Sequence, residues 1–156
     1  MAIVTTDSWL MLASSYANIF SGCLKVKVGT VLVRNNKVLA LGANKALPNF
    51  CATNKGCLRV EKYGDNAKDH RNPGDCRAIH SEIDAIASAS TDLTGATAYV
   101  TRYPCEACAR ALIAAGVTKI VYGRESPVTE YTRALFEHYG VEVIHFRRFK
   151  EADVTT

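Results

Sequence analysis

Apolar residues recur at helical spacing near the start of the chain. Trp9, Leu12, Ala13, Tyr16, Ile19 and Phe20 fall on one side of a helix that Asp7 or Ser8 can cap and Gly22 ends. Two β-rich runs follow at 28–34 and 37–43, and Asn35-Asn36 between them predicts a hairpin turn. After a long polar stretch the order returns. Helices are expected over 80–90, over 105–115 and from Pro127 to about Tyr139, with Gly116 and Gly140 stopping the last two. Strands are expected over 96–101, 119–122 and 141–146. Strands alternating with helices after an opening hairpin predict an α/β fold. The expected form is a three-layer α/β/α sandwich with a mixed sheet of about five strands.

The stretch 44–77 breaks that order. It is polar, holds Gly56, Gly64, Pro73 and Gly74, shows no sustained period, and contains Cys51, Cys57, Cys76 and His70. A structureless loop of this length inside a compact domain needs something to pin it, and a metal would do so. The chain of 156 residues is enough for one core and too short for two, so a single domain over 1–156 is expected.

Composition narrows the class. About half the residues are apolar, yet no run approaches the ~20 that a membrane span needs. Asp7 lies in the first apolar segment and no Lys or Arg precedes Lys25, unlike a secretory signal. A cytoplasmic protein (in the host cytoplasm, if viral) is therefore expected. In a reducing compartment, six cysteines suggest metal binding over disulfides. The net charge of +4 suits a phosphorylated substrate or a nucleic acid, and equally an ordinary soluble surface.

Candidate chemistry concentrates in His80-Ser81-Glu82 and Pro104-Cys105-Glu106-Ala107-Cys108. Cysteines three apart at a helix start project from one face, and the positive end of the helix favours their thiolates. Pro104 lacks the N–H that would go unpaired there. A sheet that carries both helix starts at one edge brings His80 to these sulfurs. Three protein ligands leave the fourth zinc position for water, whose pKa falls to about 7. Glu82, near the metal and not on it, is the expected proton carrier. This order of H-x-E and then P-C-x-x-C is the signature of zinc nucleobase deaminases.

Around these residues the sequence resembles deoxycytidylate (dCMP) deaminases of bacterial and phage type, within the cytidine deaminase-like fold. Carrying the resemblance are Lys27-Val28-Gly29, Gly42-Ala43-Asn44, the run 76–86 and Tyr99-Val100-Thr101-Arg102-Tyr103-Pro104-Cys105, and it extends over nearly the whole chain. The Cys-rich insertion at 44–77 points to the dCMP branch. The resemblance implies hydrolysis of dCMP to dUMP and ammonia, with Asn44 at the sugar hydroxyl and Lys25, Lys27 and Tyr122 toward the phosphate. It also implies a second, structural zinc on Cys23, Cys51, His70 and Cys76, with Cys57 as the alternative to His70. Homohexamers activated by dCTP and inhibited by dTTP, with magnesium accompanying the effectors, belong to the same expectation. This chain departs from the family at Ser81, where Ala is usual. It also reads Gly42-Ala43-Asn44-Lys45 where Gly-Tyr-Asn-Gly is usual, a segment beside the regulatory site. Two other readings stay open on sequence: a tRNA adenosine deaminase, which shares both zinc motifs, and a noncatalytic zinc-binding module, which leaves Glu82 without a purpose.

Overall fold

The computed structural model describes residues 4–46, 51, 57–68, 75–127 and 129–151. Helix α1 (Thr6–Phe20) precedes strands β1 (Gly29–Arg34) and β2 (Lys37–Ala43). Next come α2 (Leu58–Tyr63), a short 3-10 turn (Gly64–Lys68) and α3 (Ser81–Ser88). The chain then alternates through β3 (Thr97–Arg102), α4 (Glu106–Ala114), β4 (Lys119–Arg124), α5 (Thr129–His138) and β5 (Glu142–His145). The sheet order is β2-β1-β3-β4-β5. Strand β1 runs antiparallel to both β2 and β3, whereas β3, β4 and β5 are parallel. The mixed sheet of the three-layer expectation is thus present, and the hairpin turn forms with Asn35 and Asn36 both at positive φ (51° and 59°).

Alternation along the strands builds one core on each face. Leu32, Ala98, Val100, Ile120 and Tyr122 pack with Ala85, Leu112 and Phe136 from α3, α4 and α5. On the opposite face Val31 and Val33 meet Ala13, and Val121 meets Leu10 of α1. Two glycines set how closely helices approach. A Cβ on Gly42 would lie 2.0 Å from the Ser81 carbonyl oxygen, so β2 carries no side chain where α3 rests. One on Gly29 would lie 1.8 Å from the Ala13 oxygen under α1.

Two expectations need correction. The cap of α1 is Thr5, whose side chain accepts from the Ser8 amide. Its buried side is Leu10, Ala13, Ser14 and Ala17, while Ile19 and Phe20 are exposed. Close approach over Gly29 selects the small Ala13 and Ala17 there, while Ile19 and Phe20 near the helix end lie in solvent. The insertion is also not devoid of regular structure, since α2 and the 3-10 turn lie inside it. Six residues are too few to reveal a helical period.

Candidate active site

The site forms at the carboxyl end of β3, where α3 and α4 both begin. His80 is the N-cap residue of α3 and Cys105 that of α4; neither uses its side chain to cap its helix, so both remain available as donors. Nδ1 of His80 lies 3.4 Å from Sγ of Cys105 and 3.4 Å from Sγ of Cys108. All three donor atoms fall within 4.8 Å of one another, the only such group of three or more His, Cys, Asp or Glu among the described residues. Zinc bonds of about 2.0–2.1 Å to nitrogen and 2.3 Å to sulfur, at a tetrahedral angle, separate N and S by about 3.6 Å. The observed spacing therefore fits one shared ion, and one imidazole with two thiols is a donor set zinc accepts.

Electrostatics within the trio point the same way. Cys105 is driven down to about 4 by the hydrogen bond from Cys108 and by His80. Cys108, which supplies that bond, is pushed up. His80 is raised to about 10, first by Cys105 and then by Cys76. Three groups bound together by shared protons are three groups a divalent cation can hold once the protons leave.

Glu82 sits in the first turn of α3 and is buried at 4% exposure. Burial pushes its carboxyl upward, which suits a group that must take and return a proton near neutrality. Ser81 donates to Glu82 Oε2 at 3.1 Å and shares a 2.8 Å hydrogen bond with Thr30 of β1. Ser81 therefore does more than fit where the family usually has Ala: it ties the carboxylate to the sheet. Asp84 anchors the same turn by accepting from the Ala43 amide (3.1 Å) and pairing with Lys45 (2.7 Å). Lys45, where the family usually has Gly, further bridges Ile79 through backbone hydrogen bonds.

A cavity of about 410 Å³ opens onto His80 and Cys105 of the trio, within the ~300–1,000 Å³ usual for small-molecule sites. His80, Glu82, Cys105, Asn44 and Lys25 line it. Asn44 is largely engaged in holding the loop after α1: Oδ1 accepts from Ser21 (2.6 Å) and from the Val28 amide (2.8 Å), and Nδ2 donates to the Val26 carbonyl (2.8 Å). One amide N–H is left to face a ligand. Lys27 and Tyr122 do not line the cavity. Lys27 is exposed and donates to the Asn18 carbonyl, because it follows Val26 on the outer side of that loop. Tyr122 is fully buried in the core, its hydroxyl donating to Glu125 (2.6 Å) and accepting from Arg133 (2.6 Å). The cavity instead gains Arg59 from α2 and Arg102 from the end of β3. Sequence reasoning missed both. For Arg102 the signal was its place two residues before Pro104; for Arg59 there was none.

Of the remaining donors, Cys23, Cys51, Cys57 and Cys76 line a second, small cavity of about 30 Å³. No three of them reach mutual bonding distance. His70 lies outside the described residues. Cys23, Lys25, Arg59 and Cys76 line both cavities, so two of these cysteines also form part of the wall of the larger one. None of the six cysteines is in a disulfide.

The family model described as MafB19-like deaminase matches residues 4–150, and the chain belongs to that family. It is 31% identical over 148 residues to ComE operon protein 2 of Bacillus subtilis (strain 168), covering 92% of this chain and 72% of that protein. It is 34% identical over 108 residues to the deoxycytidylate deaminase of Mycobacterium phage D29, covering 68% of this chain and 84% of the relative. The crystal structure of dCMP deaminase from the cyanophage S-TIM5, in complex with dCMP and dUMP, superposes with a TM-score of 0.70 at 26% identity. That match covers 93% of this chain and 98% of the phage chain.

Proposed function

We propose that this member of the MafB19-like deaminase family is a zinc-dependent hydrolase that converts dCMP to dUMP, releasing ammonia. The observation that carries the reading is the buried carboxyl of Glu82 lining the same cavity as His80 and Cys105, two of the three clustered donors that Cys108 completes. The phage D29 deoxycytidylate deaminase and the dCMP- and dUMP-bound cyanophage structure support dCMP as the substrate.

His80, Cys105 and Cys108 hold the zinc, which when bound supplies Lewis-acid chemistry that makes water nucleophilic near neutral pH. Glu82 takes the proton that water gives up and delivers it to ring nitrogen N3. A C4–O bond forms, Glu82 then takes the proton of the new C4 hydroxyl and passes it to the amine, and the C4–N4 bond breaks to leave the C4 carbonyl and ammonia. Ser81 and Thr30 keep its carboxyl oriented throughout. The free N–H of Asn44 meets the sugar hydroxyl, and Lys25 lies at the phosphate end.

The same reading extends to a structural zinc held by Cys23, Cys51, Cys76 and either His70 or Cys57. It also extends to control by dCTP and dTTP with magnesium, to a homohexamer, to a single domain over 1–156 and to a cytoplasmic location. Among the described residues no helix is long and apolar enough to cross a membrane.

The decisive assay is deamination of dCMP, dCTP, deoxycytidine, CMP and tRNA by the purified protein, with and without dCTP and dTTP. Ammonia from dCMP and none from tRNA is the expected result. Deamination of tRNA alone, or of nothing, overturns the reading.

A further inference from the structure

The cationic side of the cavity is built in part by the insertion, and the way α2 is fastened there assigns it a task. Lys62 pairs with Asp75, and the Tyr63 hydroxyl donates to Asp75 Oδ2 at 2.8 Å. Glu61 pairs with Arg77 at 3.3 Å. Three consecutive residues of α2 thus grip the segment 75–77, which leads directly into His80. Asp75 is buried at 6% exposure and holds both of its α2 partners at once. Arg59, on the preceding turn of the same helix, lines the substrate cavity.

Charge in the cavity is lopsided. Lys25, Arg59 and Arg102 come from three separate parts of the chain: the loop after α1, α2 and the end of β3. Among the described residues Glu82 is the only carboxylate lining the cavity, and it sits at the metal end. Deamination of a neutral pyrimidine nucleoside needs no such cations. A phosphate monoester does, and planar guanidinium forks match its oxygens better than ammonium groups.

Resting on the dCMP reading and extending it, we propose that Arg59 is the specificity-determining residue for the 5′-phosphate. Lys25 and Arg102 complete the cradle, and Asp75 is a positioning residue that holds α2, and so Arg59, against the cavity. The insertion then selects nucleotide over nucleoside.

The test compares wild type, Arg59→Gln, Arg59→Lys and Asp75→Asn in two measurements on the purified metal-loaded protein. One is kcat and KM for dCMP and deoxycytidine; the other is calorimetric binding of dUMP and deoxyuridine. Arg59→Gln is expected to raise KM for dCMP and weaken dUMP binding about tenfold or more, as for loss of a charge-assisted hydrogen bond. Its kcat, and its handling of both nucleosides, stay unchanged. Arg59→Lys keeps the charge without the fork and falls between. Asp75→Asn shows the same selective pattern at smaller size. Equal losses on nucleotide and nucleoside, or no loss of dUMP binding, overturn the proposal. Because dUMP binding is read without turnover, a wild type that binds dUMP through Arg59 yet fails to deaminate dCMP overturns the activity reading alone.

Discussion

The starts of α3 and α4 and the insertion at 44–77 both collect cysteine and histidine, and they arrange them in opposite ways. At the helix starts each donor is fixed by the fold. His80 and Cys105 are N-cap residues, Cys108 is one turn on, and α3 is seated on β2 through Gly42 and the Asp84 bonds. These donors reach 3.4 Å without help. Around the insertion Cys23, Cys51, Cys57 and Cys76 are only half-buried and face a common cavity without closing on it. The difference teaches where the free energy of metal binding goes. On the proposed reading, the first site would recruit an ion to ready geometry, whereas at the second, binding would be coupled to folding of the segment that supplies the ligands.

The comparison breaks most visibly at Glu82. Glu82→Gln is expected to lower deamination by about 10²–10⁴-fold while zinc content, read by elemental analysis, stays at the wild-type level. Loss of zinc along with activity would make Glu82 a ligand and end the separation of roles. The second site sharpens the contrast. Cys51→Ser should remove one zinc per chain and lower Tm by about 2–4 °C for each kcal/mol the closed site contributes. Cys105→Ser should instead remove the other zinc together with all turnover. Unchanged zinc content in Cys51→Ser removes the second site.

Smaller effects probe how the fold seats each region. Gly42→Ala forces a methyl against the Ser81 carbonyl and should cost about 1–3 kcal/mol in a denaturant melt, with kcat reduced because Glu82 shifts with α3. An unaltered melt would show that the seat of α3 is not tight. The smallest effect concerns Asp75. Its carboxyl is held below the ordinary value of 3.8 by the hydrogen bonds from Lys62 and Tyr63. That stabilisation is fully present above about pH 3.8 and is lost as pH falls through the depressed folded value. Asp75→Asn should therefore flatten the acid limb of the stability–pH curve and leave stability near neutrality less affected by acidification. An acid limb identical to wild type would show that the clasp contributes nothing to folding.

Much of this was legible in the chain. Asn35-Asn36 could only be a hairpin turn because both residues tolerate the left-handed region, and Gly116 and Gly140, which end α4 and α5, sit at φ of 86° and 68°. The metal trio and Glu82 were legible for a similar reason: their chemistry is tied to short, fixed spacings at helix starts. The inner side of α1 was not, because there bulk lost to closeness, and neither were Arg59 and Arg102 of the cavity wall. Lys27 and Tyr122 were reasonable by position, yet one lies on the outer side of its loop and the other is locked into the core by Glu125 and Arg133.

By itself, then, the sequence determined the elements outside the insertion, the family resemblance and the candidate metal donors, since these depend on neighbours along the chain. The tertiary structure decided which residues surround that centre. Arg59 and Arg102 are 43 positions apart by their numbers and meet in one cavity only because α2 is clasped to the segment before His80 and β3 ends beside it. Contacts that depend on how closely elements approach, and on which side of a loop a side chain emerges, leave no period or spacing in the sequence to read.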